Sequence, residues 1–588
     1  MQKPGSIALS SKPIPMSFIL MAAVAIHLPL MLMQLPLKSY DTNFHIFFAS
    51  HYVHHWFDPW NVKWFAGFSQ TTYPPLPQQW VALLSWLFGL NMAYMAVQLA
   101  AILLLAVGVY RFSRLWVSPR AASYAALASV FLGNESFLVY SAGQLSTTFA
   151  APIYLNALPY FFDWLRYGKW RSLLKACVLL VAAAAAHHAT LIFGSAFFAL
   201  PVIALVLLDG KNEDREADEK PSVQAVIART VTLTIVVGIA IAVVLLPYWI
   251  GLIRYPITQT PIPHPSRASY ILSPEWGLNY FLVPYGALIL ALPFIVIRGA
   301  AVARLRPLLL GFWVAFLVGL GGTTPVGKLL LGRAFEVLTF ERFSYWAALL
   351  ALPILGLVIM EFIDRFRLKA AITVALLAAS TCTLAVAWSS IRPADAANFD
   401  VSSVAQWLNR DGHDRFRYVT LGFGNKLSQL AIMTDANSVD GESNSSRMLP
   451  ELTKFGGAAL TSSKYFAKPG LDSLRAMLAH ADRYGLKWVI VRDSYYDPLL
   501  YFAGWRQVDE LDNKTITVWG KDGVPPATPM NTSQRPPRWQ GVLWGTLPFG
   551  FSILALLVIW LPEKRSRGFR DDDLPLSTEQ TIDGEVIS

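Results

Sequence analysis

The sequence has very little cysteine and little charge. Only Cys177 and Cys382 occur in 588 residues, and both lie inside apolar runs, so we expect neither a disulfide framework nor a cysteine-based metal site. Charged residues make up 15% of the chain, whereas soluble proteins average about 25%. Hydrophobic residues make up 54%, and they come in blocks close to the ~20 residues that cross a bilayer. This composition predicts a polytopic membrane protein.

Signatures of several other protein classes are missing as well. The polar segment 390–536 contains no glycine-rich phosphate loop and no Ser-His-Asp arrangement, and the chain has no closed metal-ligand spacing such as HExxH. A net charge of +10 would suit nucleic acid. However, the basic residues lie between the apolar blocks, which is the positive-inside pattern of membrane proteins. We therefore expect no nucleic-acid partner.

The apolar blocks and basic clusters predict a mainly α, polytopic fold of about 12 transmembrane helices with both termini cytoplasmic. Segment 78–87 is too short to cross and is expected at the surface, whereas 92–110 crosses. The charged loop 209–229 is expected inside. The predicted organisation is a transmembrane domain over 1–389 with an outer loop at 37–77, an extracytoplasmic α/β domain over 390–536, a last transmembrane helix over 537–562 and a cytoplasmic tail over 563–588.

The predicted α/β domain carries alternating strand and helix signals. Buried-type apolar runs predict strands at 416–421, 488–492 and 516–519, and helical periodicity predicts helices at 401–408 and 471–484. Because no catalytic motif accompanies them, this domain is interpreted as a packing cap or recognition module on the outer face.

The outer loop 37–77 concentrates the chemistry of the chain. It holds four of the ten histidines. Asp41 and His45 are four residues apart, so on a helix their side chains share a face. The aromatic residues of the loop are typical of a helix that lies along the bilayer surface with its apolar side down. Tyr73-Pro74-Pro75 then breaks the backbone and starts a new helix.

Ionisable residues predicted at one face of the membrane form a second group of candidates, because charge near a bilayer tends to be paired, solvated or functional. The group comprises Asp41, His45, Glu135, His187, His188, His264, Lys328, Arg333, Glu341 and Arg342. Imidazole and carboxylate groups suit divalent metals, so Mn or Mg is one interpretation. Because no closed ligand set is visible, we expect no obligatory metal site, and no other cofactor is indicated.

The first outer loop resembles that of the GT-C glycosyltransferases. The matching residues are Asp41 just after the first span, His45, Pro59-Trp60-Asn61 and Tyr73-Pro74-Pro75-Leu76. The stretch from Gly321 to Phe343 is similar to an outer loop before a late helix in the same families. The closest resemblance is to the bacterial membrane proteins labelled 6-pyruvoyl-tetrahydropterin-synthase-related, and it covers residues 15 to about 390 in layout. Asp41 has no acidic neighbour, unlike the acidic-pair variants of these families.

The resemblance implies transfer of a sugar from a polyprenyl-phosphate donor to a glycan, lipid or protein acceptor at the outer face of a bacterial cytoplasmic membrane. A carboxylate is the usual general base for such a transfer, so Asp41 is expected in that role, with His45 either orienting it or holding its charge. One base and a stabilised phosphate leaving group would give inversion at the anomeric carbon. Membrane lipids are the other expected partners. The side chains expected to bind the donor are Arg342, Glu341, Arg333, Lys328, His187, His188, Tyr73 and Trp60.

Two alternatives remain open at this point. Asp41 followed by Thr42-Asn43-Phe44 also fits a helix N-cap, a purely structural role that favours Asp. The whole chain is alternatively a non-catalytic lipid or polysaccharide transporter or an envelope assembly scaffold. A transporter is disfavoured because no internal repeat is evident and ionisable residues are scarce in the middle of the spans.

Overall fold

The computed structural model describes residues 12–208, 221–392 and 399–560, and the chain is mainly helical. The predicted tail 563–588 and residues 209–220 of the predicted cytoplasmic loop lie outside the described residues. The longer helices are Met16–Leu32, Thr42–His55, Leu76–Ser113, Pro119–Val130, Leu145–Tyr167, Trp170–Ala186, His188–Leu208, Val223–Val244, Leu246–Arg254, Leu288–Ala301, Arg306–Gly319, Glu341–Ile391, Ser402–Leu408, Lys426–Met433, Ala467–Ala479 and Arg538–Trp560. Shorter helices are Gly133–Phe137, Pro274–Gly277, Val283–Tyr285, Val326–Leu331, Pro450–Thr453, Ala481–Tyr484 and Asp497–Phe502.

Among the described residues, five helices are long and apolar enough to cross a membrane. A sixth span results if the helices Pro274–Tyr285 and Leu288–Ala301, which meet at 65°, are counted as one broken span. Several other predicted spans form helices that are short for a crossing of ~20 residues, such as Pro119–Val130 with 12 residues and Arg306–Gly319 with 14. The predicted number of about twelve spans is thus not confirmed, whereas the multi-pass helical architecture is.

Two of the long helices are broken where the sequence predicts a boundary between segments. In Leu76–Ser113, Gly89 has φ 72° and ψ 161°, a conformation that favours glycine, and it separates the predicted surface segment from the predicted span. In Glu341–Ile391, Arg367 has φ 54° within the basic stretch between two predicted spans. Each apparent long helix is therefore two apolar segments joined at a kink.

The polar segment after the Glu341–Ile391 helix folds as an α/β unit. Its sheet has the order β3-β4-β6-β5, with β3 (Arg417–Leu421) parallel to β4 (Leu486–Val491), and β6 (Ile516–Gly520) antiparallel to β4 and to β5 (Arg506–Leu511). β3 is fully buried and β5 is mostly exposed. A separate two-stranded ribbon, β1 (Trp60–Asn61) and β2 (Phe68–Ser69), lies in the outer loop.

The outer loop and the α/β unit share one hydrophobic core. Trp64 is fully buried and stacks on Phe47 with ring centroids 3.7 Å apart. These rings belong to a cluster that also contains Val419 and Leu421 of β3. The backbone joins the two parts as well, because Ser438 N donates to Lys63 O at 2.8 Å. Both parts therefore lie on the same side of the membrane.

This shared core corrects one sequence-based interpretation. The aromatic residues of the helix Thr42–His55, here named the outer helix, were expected to face the bilayer. Instead Phe44, Phe47 and Phe48 are buried beneath the α/β unit. Aromatic side chains bury large apolar areas wherever a partner surface is available, and the partner here lies more than three hundred residues away in the sequence.

Candidate active site

Asp41 lies at the start of the outer helix and is held there by its backbone. Its N–H donates to Ala142 O at 2.9 Å, and its carbonyl accepts from His45 N at 3.1 Å. Asp41 occupies the N-cap position, but its side chain makes no capping hydrogen bond. The residue as a whole is half-buried. Capping therefore does not explain why an aspartate stands here.

A tight glycine turn allows the segment 141–144 to approach Asp41. Gly143 has φ 74°, in the left-handed region. A Cβ added there would meet Ser39 Oγ, would lie 2.8 Å from Thr42 N and would lie 2.9 Å from Asp41 N. Only glycine fits without displacing the first turn of the outer helix.

The residue after this glycine connects the turn to Arg342. Gln144 Oε1 accepts a hydrogen bond from Arg342 Nε at 2.9 Å, and Gln144 Nε2 donates to Glu341 Oε1. The same Glu341 oxygen accepts from Thr339 Oγ1 at 2.5 Å. Among the described residues, the other nitrogens of the Arg342 guanidinium have no hydrogen-bond partner. Gln144 thus fixes the orientation of Arg342 and leaves the two terminal nitrogens of its guanidinium fork, Nη1 and Nη2, available.

The environment of Asp41 raises the pKa of its carboxyl to about 7. Burial is the main cause, since it disfavours the charged form, while the Arg342 guanidinium lowers the pKa and the Glu341 carboxylate raises it. Arg342 and Glu341 therefore lie within electrostatic range of Asp41, although about 300 residues separate them from it in the sequence. A carboxyl group that titrates near neutrality suits a general base.

His45 is fixed in one orientation by the segment that follows the proline pair. With the Gln78 amide oriented to satisfy its neighbours, Gln78 Oε1 accepts from His45 Nδ1 at 2.9 Å. The Gln78 amide nitrogen then donates to Pro74 O at 3.0 Å and Pro75 O at 3.2 Å. Burial, together with the Arg342 charge, lowers the pKa of His45 to about 3. His45 is therefore a neutral imidazole with its proton on Nδ1.

Three further side chains border this centre. The Tyr73 ring lies 6.0 Å from the His45 ring and 5.1 Å from that of Phe44, and burial raises the pKa of Tyr73 to about 12. His187 is buried, and its Nδ1 shares a 2.8 Å hydrogen bond with Thr190 Oγ1. It also lies within electrostatic range of His45 and Arg342. His264 lies within electrostatic range of Glu341 and Arg342.

Four of the residues expected at the site lie elsewhere. Lys328 and Arg333 are exposed on short helices before the Glu341–Ile391 helix. His188 packs against Tyr248 with ring centroids 4.6 Å apart, and its Nδ1 bonds to Ala184 O. Trp60 is buried in the β1–β2 ribbon, where its indole lies against Gly67. No contact in the described residues links these four side chains to Asp41 or Arg342, and their expected role in binding the donor stays a prediction.

Sequence reasoning missed Gln78 and Gln144. Gln78 carried a weak signal, since it follows the Tyr73-Pro74-Pro75 motif that starts a helix. Gln144 carried none, because its importance depends on the close approach of Gly143 to Asp41. Among the described residues, no group of three or more His, Cys, Asp or Glu side chains is arranged to hold a metal ion.

Comparison with solved structures identifies the fold. The chain superposes on the arabinofuranosyltransferase AftD from Mycobacteria with a TM-score of 0.52 and 13% identity, covering 88% of this chain and 40% of AftD. It superposes on ArnT from Cupriavidus metallidurans, solved with bound undecaprenyl phosphate, with a TM-score of 0.50 and 14% identity, covering 88% of this chain and all of ArnT (100%). No family profile matches the sequence, and no curated protein does.

These neighbours are GT-C glycosyltransferases, so the chain has a GT-C-type membrane fold. The fold agrees with the resemblance drawn from the first outer loop. The finer resemblance, to the 6-pyruvoyl-tetrahydropterin-synthase-related membrane proteins, stays a prediction.

Proposed function

We propose that the protein is an integral membrane glycosyltransferase that moves a sugar from a polyprenyl-phosphate donor to an acceptor. One observation carries this proposal: at the start of the outer helix, Asp41, whose pKa is raised to about 7, lies within electrostatic range of the Arg342 guanidinium, which Gln144 holds only at Nε. The GT-C-type fold supports the same reaction class, and the undecaprenyl phosphate bound to ArnT supports the class of donor.

Asp41 is the general base in this proposal. The acceptor hydroxyl must lose its proton as the new glycosidic bond forms, and a positioned carboxylate with a pKa near the operating pH is the best acceptor for that proton. An exposed aspartate near 3.9 would be a weak base. His45, a neutral imidazole one helical turn further on, positions the acceptor or the carboxyl group through its unprotonated Nε2.

Arg342 binds the donor phosphate. Guanidinium groups match the geometry of phosphate oxygens and form two parallel hydrogen bonds to them. Gln144 occupies only the Nε of Arg342 at 2.9 Å, so the outer edge of the fork remains for the phosphate. Because the donor keeps its lipid tail in the bilayer, its phosphate lies at the headgroup level. Arg342 lies at this level, at the outer end of the Glu341–Ile391 helix.

The reaction balances as a single displacement. The acceptor oxygen bonds to the anomeric carbon, and the bond from that carbon to the phosphate oxygen breaks. The electron pair of that bond goes to the phosphate, whose added negative charge Arg342 stabilises, and the acceptor proton goes to Asp41. One base and one stabilised leaving group invert the configuration, so a second carboxylate flanking the bond is not needed.

The finer parts of the proposal follow from the predicted topology. The site faces the outer side of a bacterial cytoplasmic membrane, and the acceptor is a glycan, lipid or protein on that side. A divalent metal is not required, because the described residues around Asp41 offer a guanidinium for the phosphate charge.

The direct test uses the full chain in lipid nanodiscs with a panel of synthetic polyprenyl-phosphate sugars. Mass spectrometry should show one donor converted to free polyprenyl phosphate together with a glycosylated acceptor or water adduct of inverted configuration. The alternative of a non-catalytic transporter predicts that donors bind or move across the bilayer with no loss of sugar. That second result, obtained across the whole panel, contradicts the proposal.

A further inference from the structure

A cavity lies on the side of the outer helix opposite Asp41. Its volume is about 220 Å³, and it is bounded by Leu37, Asn43, Ile46, Leu90, Asn91, Lys426, Gln429, Ile432 and Met433. Asn43 is two positions beyond Asp41, which on a helix is a rotation of about 200°. The cavity is therefore separate from the candidate active site, although both use the outer helix.

The cavity contains an unsatisfied buried donor. Asn43 is 7% exposed, and its Nδ2 is buried with no hydrogen-bond partner among the described residues. Unpartnered buried amide groups are costly, so natural proteins rarely leave them without a ligand or water. This group lines a space that is large enough to hold a ligand.

A positively charged side chain also lines the cavity. Lys426 belongs to the helix Lys426–Met433, here named the docking helix, and its Nζ donates to Gln429 Oε1 at 3.0 Å. Asp400 lies within electrostatic range of Lys426. Lys38, which follows Leu37 on the rim, is exposed and adds a second positive charge. Asp400 offsets part of the Lys426 charge, but the two lysines leave this end of the cavity with a net positive charge, which favours an anion.

The other end of the cavity is apolar and adjoins the lipid-facing surface. Leu90 and Asn91 directly follow the break at Gly89. The three residues before that break, Trp86, Leu87 and Phe88, are 73%, 75% and 56% exposed. In a membrane protein such an exposed apolar tip lies in the bilayer, with its tryptophan near the headgroups. The cavity thus opens at the level where phospholipid headgroups lie.

We propose that this cavity binds the headgroup of one anionic phospholipid of the bilayer. The phosphate would accept hydrogen bonds from Lys426 Nζ and Asn43 Nδ2, and the first part of the acyl chains would pack on Ile46, Leu90 and Ile432. Because the docking helix belongs to the α/β unit, the lipid bridges that unit to the outer helix. The site is independent of the glycosyltransferase proposal, since it uses neither Asp41 nor Arg342.

Native mass spectrometry of the full chain can count the bound lipid. The chain is purified in neutral detergent and titrated separately with phosphatidylglycerol, phosphatidylcholine and undecaprenyl phosphate. Both lipids carry a phosphate, but the choline ammonium of phosphatidylcholine would be repelled by Lys426. We therefore expect one phosphatidylglycerol to bind about tenfold more tightly than phosphatidylcholine. Equal affinity for the two phospholipids, or selective binding of undecaprenyl phosphate that Lys426→Gln abolishes, overturns the proposal.

Substitutions inside and outside the cavity test whether the lipid binds there, and a second cavity variant is used if the first does not fold. Lys426→Gln should weaken phosphatidylglycerol binding about tenfold, while Lys514→Gln, which removes an exposed lysine elsewhere in the α/β unit, should leave it unchanged. Gln429→Lys adds a cation to the cavity lining and should tighten binding. If Lys426→Gln fails to fold, the Gln429→Lys result decides, because unchanged or weaker binding in that variant contradicts the proposed site.

Discussion

The substitution Asp41→Asn separates a catalytic role from a structural one. Asparagine has the same shape and remains a good N-cap residue. The backbone hydrogen bonds from Asp41 N to Ala142 O and from His45 N to Asp41 O do not involve the side chain and persist. Since the Asp41 side chain makes no capping hydrogen bond, the free energy of unfolding should change little.

The expected loss of rate is far larger than any structural effect. Removing a general base costs about 10²–10⁴-fold, which corresponds to about 3–5.5 kcal/mol of transition-state stabilisation at 1.36 kcal/mol per tenfold. Loss of a helix cap would cost only about 1 kcal/mol, and that cost would appear in stability rather than in turnover. Kinetics and thermal unfolding of the same preparation therefore distinguish the two roles.

The dependence of rate on pH gives an independent check. The pKa of Asp41 is raised to about 7, so the reactive carboxylate is present above that pH and is lost as the pH falls. For the wild-type chain, log kcat/KM should rise with unit slope up to about pH 7 and then level off. Asp41→Asn should lose this acid limb.

A matched control uses another carboxyl group of the same outer loop. Asp58 Oδ1 accepts from Trp60 N at 3.1 Å, and its Oδ2 pairs with Arg535 at 2.5 Å. Asp58→Asn should therefore affect stability more than the rate per folded molecule. A well-folded Asp41→Asn protein that transfers sugar at the rate of Asp58→Asn would refute the assignment of Asp41 as base.

The other predictions concern the groups around Asp41. Arg342→Lys keeps the charge but loses the fork, so kcat/KM for the donor should fall about tenfold, with Arg333→Lys as an unaffected control; equal effects contradict phosphate binding by Arg342. Arg342→Gln should move the acid limb of the pH–rate profile to higher pH, because the Arg342 charge lowers the pKa of Asp41. An acid limb at the wild-type pH would contradict the placement of Arg342 within electrostatic range of Asp41. Gly143→Ala forces a Cβ to within 2.9 Å of Asp41 N and should destabilise the fold by about 1–3 kcal/mol, measured by thermal unfolding. EDTA should leave activity intact. If EDTA abolishes activity and added Mn or Mg restores it, the expectation of no obligatory metal site is wrong.

Much of the architecture could be predicted from patterns that are local in sequence. The break at Gly89 falls between a segment too short to cross and a segment of crossing length, and the break at Arg367 falls between two apolar segments of about crossing length. β3, β4 and β6 were predictable from their apolar runs. β5 was missed because it is an edge strand with both faces largely exposed, so burial did not select an apolar pattern there.

The candidate site could be predicted only in part. Asp41 and Arg342 stand at the starts of two helices, and ionisable residues at such positions attract attention from sequence alone. The hydrogen bond from Arg342 to Gln144 and the approach of the neighbouring turn to Asp41 could not be foreseen, because both depend on a turn that only Gly143 allows. The exposure of Lys328 and Arg333 could not be foreseen either, since positive charge in a predicted outer loop does not specify which way a side chain points.

Burial and the Arg342 charge have opposite effects on the pKa of Asp41. These effects explain why the proposed base and the proposed phosphate-binding cation would lie close together. Burial alone favours the protonated form, which cannot accept a proton, and full exposure would give a weak base. The Arg342 guanidinium opposes the effect of burial, and the pKa settles at about 7. Burial in turn depends on the turn at Gly143 and on the α/β unit that packs over the outer helix. The strength of the proposed base is therefore a property of the assembled membrane and α/β parts, which is why the α/β unit is expected to be required for activity although it supplies no catalytic residue.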